Sequence, residues 1–368
     1  MLSQVQPPSA RKKFAVPRFA RLLPLALLLT ACATVSPPPA QQAPLPGEAA
    51  RAPAPPPVSA AEEQALRTLI TQQDRLYRVA APLLVNNPQL CKSNARNLLG
   101  FTAKNKYSYS KEFTNAAQYS FGLDERLQVM GVLPESGAAR AGVRRGDNLV
   151  AVEDQAMPQG ENAERQAALI LAPLVTGRTR LKLTVLRNGS NLSLDVPLTN
   201  ACAFGIELGN ADTVSAYSDG HRVLVTRGML EFARSDDELA YVLAKEMAHN
   251  ALAHASRQKM SATMGGIIDN LVLIRPDMST MVGMAGVRPM PAELDVAADR
   301  LSLYMLARAG YNIDSVVPFW QRLAAQYPAT MSNGYTAMHP DTARRIAAMQ
   351  RTVADIKSKK AANRDLMP

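Results

Sequence analysis

The sequence predicts an α+β protein: a mostly helical body with a small sheet, interrupted by a strand-rich unit over residues 100–199. Three observations lead there. The 368 residues are 47% hydrophobic but only 5% aromatic, the balance of an Ala/Leu-rich helical chain long enough for about two domains. Apolar residues recur at helical spacing in segments starting near Ser59, Ser235 and Ala292. Between the first two of these the pattern changes to short alternating runs separated by Gly- and Asn-containing turns.

Taken in order, the chain opens with Arg11, Lys12, Lys13, Arg18 and Arg21 and no acid before Cys32. A short apolar core, Leu22 to Leu29, follows and is too short to span a bilayer. This is the pattern of an export signal, residues 1–31. Residues 32–58 hold nine prolines between Pro37 and Pro57. Such a stretch cannot build a core and reads as an extended tether, reaching about 75 Å at about 3 Å per residue. Residues 59–99 open with a helix whose start, Ser59 and Glu62, forms a capping box. Leu66, Leu69, Ile70, Leu76 and Val79 give it an apolar stripe, and Pro82 and Pro88 are expected to bound its end.

Within 100–199, strands are expected at Leu127–Val132, Asn148–Val152, Arg180–Leu186 and Leu192–Leu198, with a helix over Glu161–Leu174. Asn188-Gly189 is a hairpin turn signal. Residues 200–368 begin with strands at Ala203–Leu208, Thr213–Tyr217 and Arg222–Thr226, the last two joined at Asp219-Gly220. A helix from Ser235 to His254 has Ser235 and Glu238 as a second capping box and buries Leu239, Val242, Leu243 and Met247. Residues 260–292 are rich in methionine, including Met260, Met264, Met278, Met281, Met284 and Met290. Such side chains fill irregular core gaps or form adaptable apolar surfaces. Helices follow at Ala292–Ala309, stopped by Gly310, at Asp314–Gln326 with Asp314 as cap, and from Asp341 into a basic tail. The formal charge of +10 halves once residues 1–31 are removed, and no basic block is interleaved with aromatics. A nucleic-acid partner is therefore not expected.

Three stretches resemble known families. Leu29-Thr30-Ala31-Cys32 is similar to the lipobox of bacterial lipoproteins, which implies cleavage before Cys32 and its acylation. Ala33 rather than Asp follows, which by resemblance to enterobacterial sorting implies an outer-membrane lipoprotein on the periplasmic side, held to the membrane by its lipid. Lipidation of Cys32 leaves Cys91 and Cys202 as an even pair in an oxidising compartment, so a disulfide is expected, closing the base of the inserted unit. Val132–Ala139 and Gly142–Asp147 resemble bacterial PDZ domains. The resemblance implies binding of an extended peptide or C-terminus at a sheet edge, with Phe121, Gly122 and Leu123 as the matching peptide-binding loop.

The third resemblance begins at Lys245-Glu246-Met247-Ala248-His249. Zinc peptidase helices read His-Glu-x-x-His, two histidines on one face holding the metal and the Glu activating its water. Asp295 and Asp299 lie four apart on a later helix, where two acids repel unless something positive faces them. His339-Pro340 precedes the last helix. The ordered set resembles the HtpX/BepA-type zinc metallopeptidases, the family that includes the CAAX prenyl proteases. It implies a zincin-like fold, zinc as cofactor, and action on unfolded or misassembled envelope proteins. Residue by residue, Glu246 matches the catalytic general base and His249 the second His ligand. Asp295 takes the place of a Glu ligand, Asp299 and His254 match supporting residues, and His339 matches a His that can approach the zinc. Lys245 stands where the first ligand should be. Deprotonating a lysine at pH 7 costs about 4–5 kcal/mol from an ordinary pKa near 10.4. Left charged about 4 Å from a divalent ion, it costs about 8 kcal/mol at an effective dielectric of 20. Two readings stay open. In one, Lys245 is an internal counter-ion and the protein binds chains without cutting them. In the other, His249, Asp295 and His339 hold zinc and Glu246 remains the base.

Overall fold

In the computed structural model, residues 58–257, 289–329 and 334–368 are described. The expected export signal, the tether, Cys32 and most of the Met-rich stretch lie outside them. The first helix, α1 (Ala60–Val85), carries the complete capping box of Ser59 and Glu62. It does not stop at Pro82. The proline lies in its last turn, Asn86 N–H closes on the Pro82 carbonyl, and Leu83 and Leu84 are buried beyond it. Burial of that turn outweighs the one hydrogen bond a proline removes. A one-turn helix, α2 (Pro88–Cys91), then delivers Cys91 to the core.

Strand β1 (Ala95–Leu98) pairs with β8 (Thr199–Cys202) as an antiparallel stalk, register Ala95 to Cys202. Beside it Cys91 and Cys202 form a disulfide, Cα atoms 5.6 Å apart and both side chains buried. The stalk leads into and out of a PDZ-like sheet ordered β2-β3-β4-β6-β7, with β5 against β4. These are β2 (Phe101–Lys104), β3 (Gln128–Val132), β4 (Asn148–Val152), β5 (Gln155–Ala156), β6 (Arg180–Arg187) and β7 (Ser190–Pro197). Asn188 and Gly189 both take positive φ at the β6–β7 turn, as a tight hairpin requires. Three helices belong to this region: α3 (Thr114–Phe121), α4 (Gly137–Arg140) and α5 (Ala163–Val175). Leu127, Val129, Leu149, Val152, Leu181, Leu183, Val185 and Val196 form its core, closed by Ala163, Ala167 and Leu174 of α5. Helix α3 packs outside that core, against Leu66 and Ile70 of α1.

The second body contains a three-stranded sheet ordered β10-β11-β9, from β9 (Gly205–Gly209), β10 (Ala216–Ser218) and β11 (Arg222–Thr226). Helices α6 (Arg227–Phe232), α7 (Asp236–Ala251), α8 (His254–Arg257), α9 (Ala292–Arg308), α10 (Val316–Gln326), α11 (Gly334–Met338) and α12 (Ala343–Ala361) follow. One large core joins the C-terminal half of α1 to α7, α9, α10, α12 and the sheet. The expected cap Asp314 pairs instead with Lys357, leaving Ser315 at the start of α10, and the last helix, expected from Asp341, begins at Ala343 with Thr342 as its cap. Among the described residues no helix is long and apolar enough to cross a membrane.

Candidate metal centre

Helix α7 is the axis of the site. Ser235 Oγ accepts from Glu238 N–H at 3.2 Å and fixes its start. The return half of the capping box is not made, because Glu238 is drawn to Arg322 and to the backbone N–H of Arg234. Every residue from Leu239 to Ala251 is buried, so α7 is enclosed on all sides rather than amphipathic. Lys245, Glu246 and His249 therefore project into protein. Asn250 fastens the sheet to this helix: Oδ1 accepts from Gly220 N–H and Nδ2 donates to the Arg222 carbonyl. That contact sets β10, an edge strand, alongside Glu246.

Helix α9 brings Asp295 and Asp299 up from the opposite side, and the end of α11 brings His339. Lys245 Nζ donates to Asp295 Oδ1 at 2.9 Å and to Asp299 Oδ1 at 2.7 Å. Its side chain is fully buried, with the Trp320 ring centroid 5.7 Å from Nζ. Arg345 closes the other side of Asp299 through Nε at 2.8 Å and Nη2 at 3.1 Å, and it also donates to the carbonyls of His339 and Pro340. The two acids on α9 thus face two cations, which answers the repulsion expected from their spacing. Glu246 accepts at both oxygens, from Ser218 Oγ at 2.7 Å and Tyr335 OH at 3.1 Å. His339 Nδ1 meets Asp295 Oδ1 at 2.7 Å, and His249 Nδ1 lies 2.9 Å from His254 Nδ1.

Burial resists charge on the two histidines, the two aspartates and Tyr335, and neighbours decide the outcome. Burial pushes His249 and His339 below the ordinary histidine range, Asp295 only partly opposing it. Burial raises Asp295 and Asp299, but Lys245, with His339 for the former and Arg345 for the latter, more than offsets it, and both carboxyls are held low. Burial also drives the Tyr335 phenol well upward, keeping it a donor to Glu246.

Do these residues suit the zinc that the motif implies? His249 Nε2, Asp295 Oδ2 and His339 Nε2 are buried without a hydrogen-bond partner among the described residues. One ligand atom from each of these three residues lies within 4.8 Å of the others. His249 Nε2 and Asp295 Oδ1 are 3.4 Å apart, about the edge of a zinc tetrahedron with bonds near 2.1 Å. Position supports an ion; charge opposes it. The Asp295 carboxylate that would balance zinc already holds an ammonium at 2.9 Å. Repulsion of about 8 kcal/mol removes most of the roughly 10–16 kcal/mol that a complete structural site gains. The donor set with a charged Lys245 does not fit a catalytic zinc.

The sequence motifs named Lys245, Glu246, His249, His254, Asp295, Asp299 and His339, and the fold brings all seven together. They did not name Trp320, Tyr335 or Arg345, whereas Ser218 stands in the hairpin Tyr217-Ser218-Asp219-Gly220, which resembles the strand edge beside the cleft in the zinc metallopeptidases that the motifs resemble. Of the three unnamed residues only Arg345 left a trace, a basic residue on the face of α12 that carries Met349, Thr352 and Ile356 inward. The expected peptide-binding loop at Phe121, Gly122 and Leu123 is corrected. Phe121 ends α3, Gly122 takes a left-handed φ of 67°, and Leu123 is buried against α1. The N–H groups of Gly122 and Leu123 donate to the Gln118 and Ala117 carbonyls, so they close the helix and cannot hold a carboxylate. Strand β2, beginning just after Gly100, is one of the two edge strands of this sheet, β7 being the other. Leu99, Phe101 and Ala103 and, from α5, Ile170, Leu171 and Val175 pack partly buried on the PDZ-like core.

Residues 191–353 match Peptidase family M48. The mitochondrial metalloendopeptidase OMA1 of Saccharomyces cerevisiae is 25% identical over 173 residues, 43% of this chain and 50% of that protein. The beta-barrel assembly-enhancing protease of Yersinia pestis is 28% identical over 195 residues, 47% of this chain and 38% of that protein. The chain thus spans half or less of the length of these relatives. Among solved structures, the HtrA-type protease AlgW with a decapeptide is 24% identical, covering 29% of this chain and 30% of that one, with a TM-score of 0.21. The HtrA3 PDZ domain bound to a phage-derived ligand is 19% identical, covering 28% and 86%, also with a TM-score of 0.21.

Proposed function

We propose, from the peptidase family M48 domain that residues 191–353 of this chain carry, that the protein is an envelope quality-control factor that holds chains rather than cutting them. One observation carries this reading: Lys245, at the missing ligand position, is salt-bridged to both Asp295 and Asp299. The ammonium and Arg345 balance the carboxylates without a metal. Glu246, accepting from Ser218 and Tyr335, is then a fixed acceptor and not a base. Its clients would be unfolded or misassembled envelope proteins, in keeping with a relative named beta-barrel assembly-enhancing protease. The edge of β2 beside α5 would take an extended peptide or C-terminus by strand addition. Residues 1–31 would direct export, Cys32 would carry the lipid, and residues 32–58 would tether the protein to the periplasmic face of the outer membrane.

A second reading is favoured by the three buried atoms of His249, Asp295 and His339 that make no hydrogen bond among the described residues. In that reading these three residues would hold zinc, which would supply an activated water, and Glu246 would be the general base, provided Lys245 left Asp295.

Metal content of the mature, oxidised chain separates the two. The first reading expects under about 0.1 zinc per chain for the native protein and about one for Lys245→His, since a His restores the usual donor count. About one zinc in the native protein, lost in His249→Ala, would overturn it in favour of the second.

A further inference from the structure

A cleft of about 800 Å³ opens between α1 and the β2–β3 part of the PDZ-like sheet. It shares no lining residue with the metal centre or with α5. Its size is that of a ligand site rather than a packing flaw. Its floor is apolar, from Met130, Val132, Leu133 and Val143. Its walls carry four arginines, Arg75, Arg78, Arg144 and Arg145, against one acid, Asp74. Three of the arginines are engaged: Arg75 and Arg78 with Asp236, and Arg145 with Asp74. Arg144 is exposed, and its guanidinium makes no ion pair among the described residues.

Two further features concern the backbone. Strand β2 runs along β3 as far as Val132, but β4 pairs with β3 only at Gln128–Asn148. Met130–Val132 is therefore laddered on one side only, and these residues line the cleft. Thr102 Oγ1, also in the lining, is buried with no hydrogen-bond partner. It lies across from Gly131, where an added Cβ would stand 3.3 Å from it, so bare backbone faces the cleft. A half-open strand edge costs energy unless something pairs with it.

We infer that this cleft is a second polypeptide-binding site, separate from the β2 edge beside α5, for extended segments that carry apolar side chains and an acidic residue. The backbone of such a segment supplies the partners that β3 and Thr102 lack, its apolar side chains cover Leu133 and Val143, and its carboxylate meets Arg144. An anionic lipid would satisfy the floor and the guanidinium but leave the backbone edge unpaired. The inference does not depend on whether the metal centre is loaded.

The test is fluorescence anisotropy on the mature, oxidised protein with a labelled decapeptide of alternating Val and Glu and a matched Val/Lys peptide. The acidic peptide should bind at least about tenfold tighter, and Arg144→Glu should weaken it by a similar factor. Thr102→Trp, which fills the cleft, should abolish binding, and both effects should persist in a Leu171→Glu background, which disables the α5-side site and leaves only the cleft to read. Arg144→Glu lies on an exposed turn, so the test survives even if Thr102→Trp fails to fold. Unchanged binding in Arg144→Glu overturns the proposal, as does loss of binding in Leu171→Glu alone. Arg144-dependent binding to phosphatidylglycerol vesicles with no binding of the peptide overturns it too.

Discussion

At position 245 an ammonium stands where the motif calls for an imidazole, and its neighbours decide what that means. Lys245 is fully buried between two carboxylates and an indole. Removing one member of a buried ionic set costs about 3–5 kcal/mol, because the partners remain buried and unbalanced. Lys245→Met should therefore lower the urea midpoint by that much in free energy, and adding Asp299→Asn should recover part of it. A Lys245→Met protein as stable as the native one would remove the counter-ion role. On the same logic a chelator should leave the melting temperature of the native protein within about 2 °C, since loss of a bound ligand would lower it.

At the scale of elements, the caps and paired charges hold the pieces in register. Ser235→Ala should cost about 1 kcal/mol, measured by denaturant, because only half of its capping box is made. In the PDZ-like unit Asp147 is buried and takes a double contact from Arg187, at 2.6 and 2.7 Å, plus the Arg144 backbone N–H. Burial pushes its carboxyl up, but these donors more than offset that and hold it below the usual range. Its folded pKa is thus lower than its unfolded one. The stability it confers is complete above about pH 4 and is lost as pH falls through the folded value. Asp147→Asn should cost about 2–4 kcal/mol at pH 7, and the gap between mutant and native protein should narrow at pH 3. A gap independent of pH would show that packing, not charge, carries the contribution.

For the whole molecule, the disulfide and the β1–β8 stalk tie the PDZ-like unit to the helical body covalently and by backbone pairing, beside the packing of α3 on α1 and the Arg145–Asp74 ion pair. Cys91 and Cys202 are 111 residues apart, a loop whose closure in the unfolded chain is worth about 5 kcal/mol. Reduction, or Cys91→Ala with Cys202→Ala, should lower stability by about 2–5 kcal/mol and melt both units at a lower temperature. If only the PDZ-like unit shifts, the two units unfold separately and the bridge serves that unit alone. Arg75 contributes a second tie within the helical body, linking α1 to the carbonyls of Leu230, Ala233 and Ser235.

Local sequence by itself determined the elements and the order of the motif residues. Apolar spacing marked α7 and α9, Asn188-Gly189 marked the β6–β7 hairpin, and Ser59-x-x-Glu62 marked the start of α1, since each of these signals acts within one or two turns of chain. The four-residue step from Lys245 to His249 and from Asp295 to Asp299 likewise fixed which side chains share a face. Tertiary structure decided the rest. A glycine after an aromatic residue is equally at home in a carboxylate-binding loop and at a helix end, and only the packing of Leu123 against α1 made Phe121–Leu123 the latter. Pro82 is a stop signal locally, yet burial of the following turn carried the helix past it. Trp320, Tyr335 and Arg345 belong to no motif, and with Ser218 of the Tyr217–Gly220 hairpin they converge on Lys245, Glu246 and Asp299 only because four separate elements pack around α7. The charge balance of the centre is a property of that convergence: it depends on distances between residues far apart in the chain, 54 positions between Lys245 and Asp299 and 89 between Glu246 and Tyr335, and no local pattern in the chain encodes it.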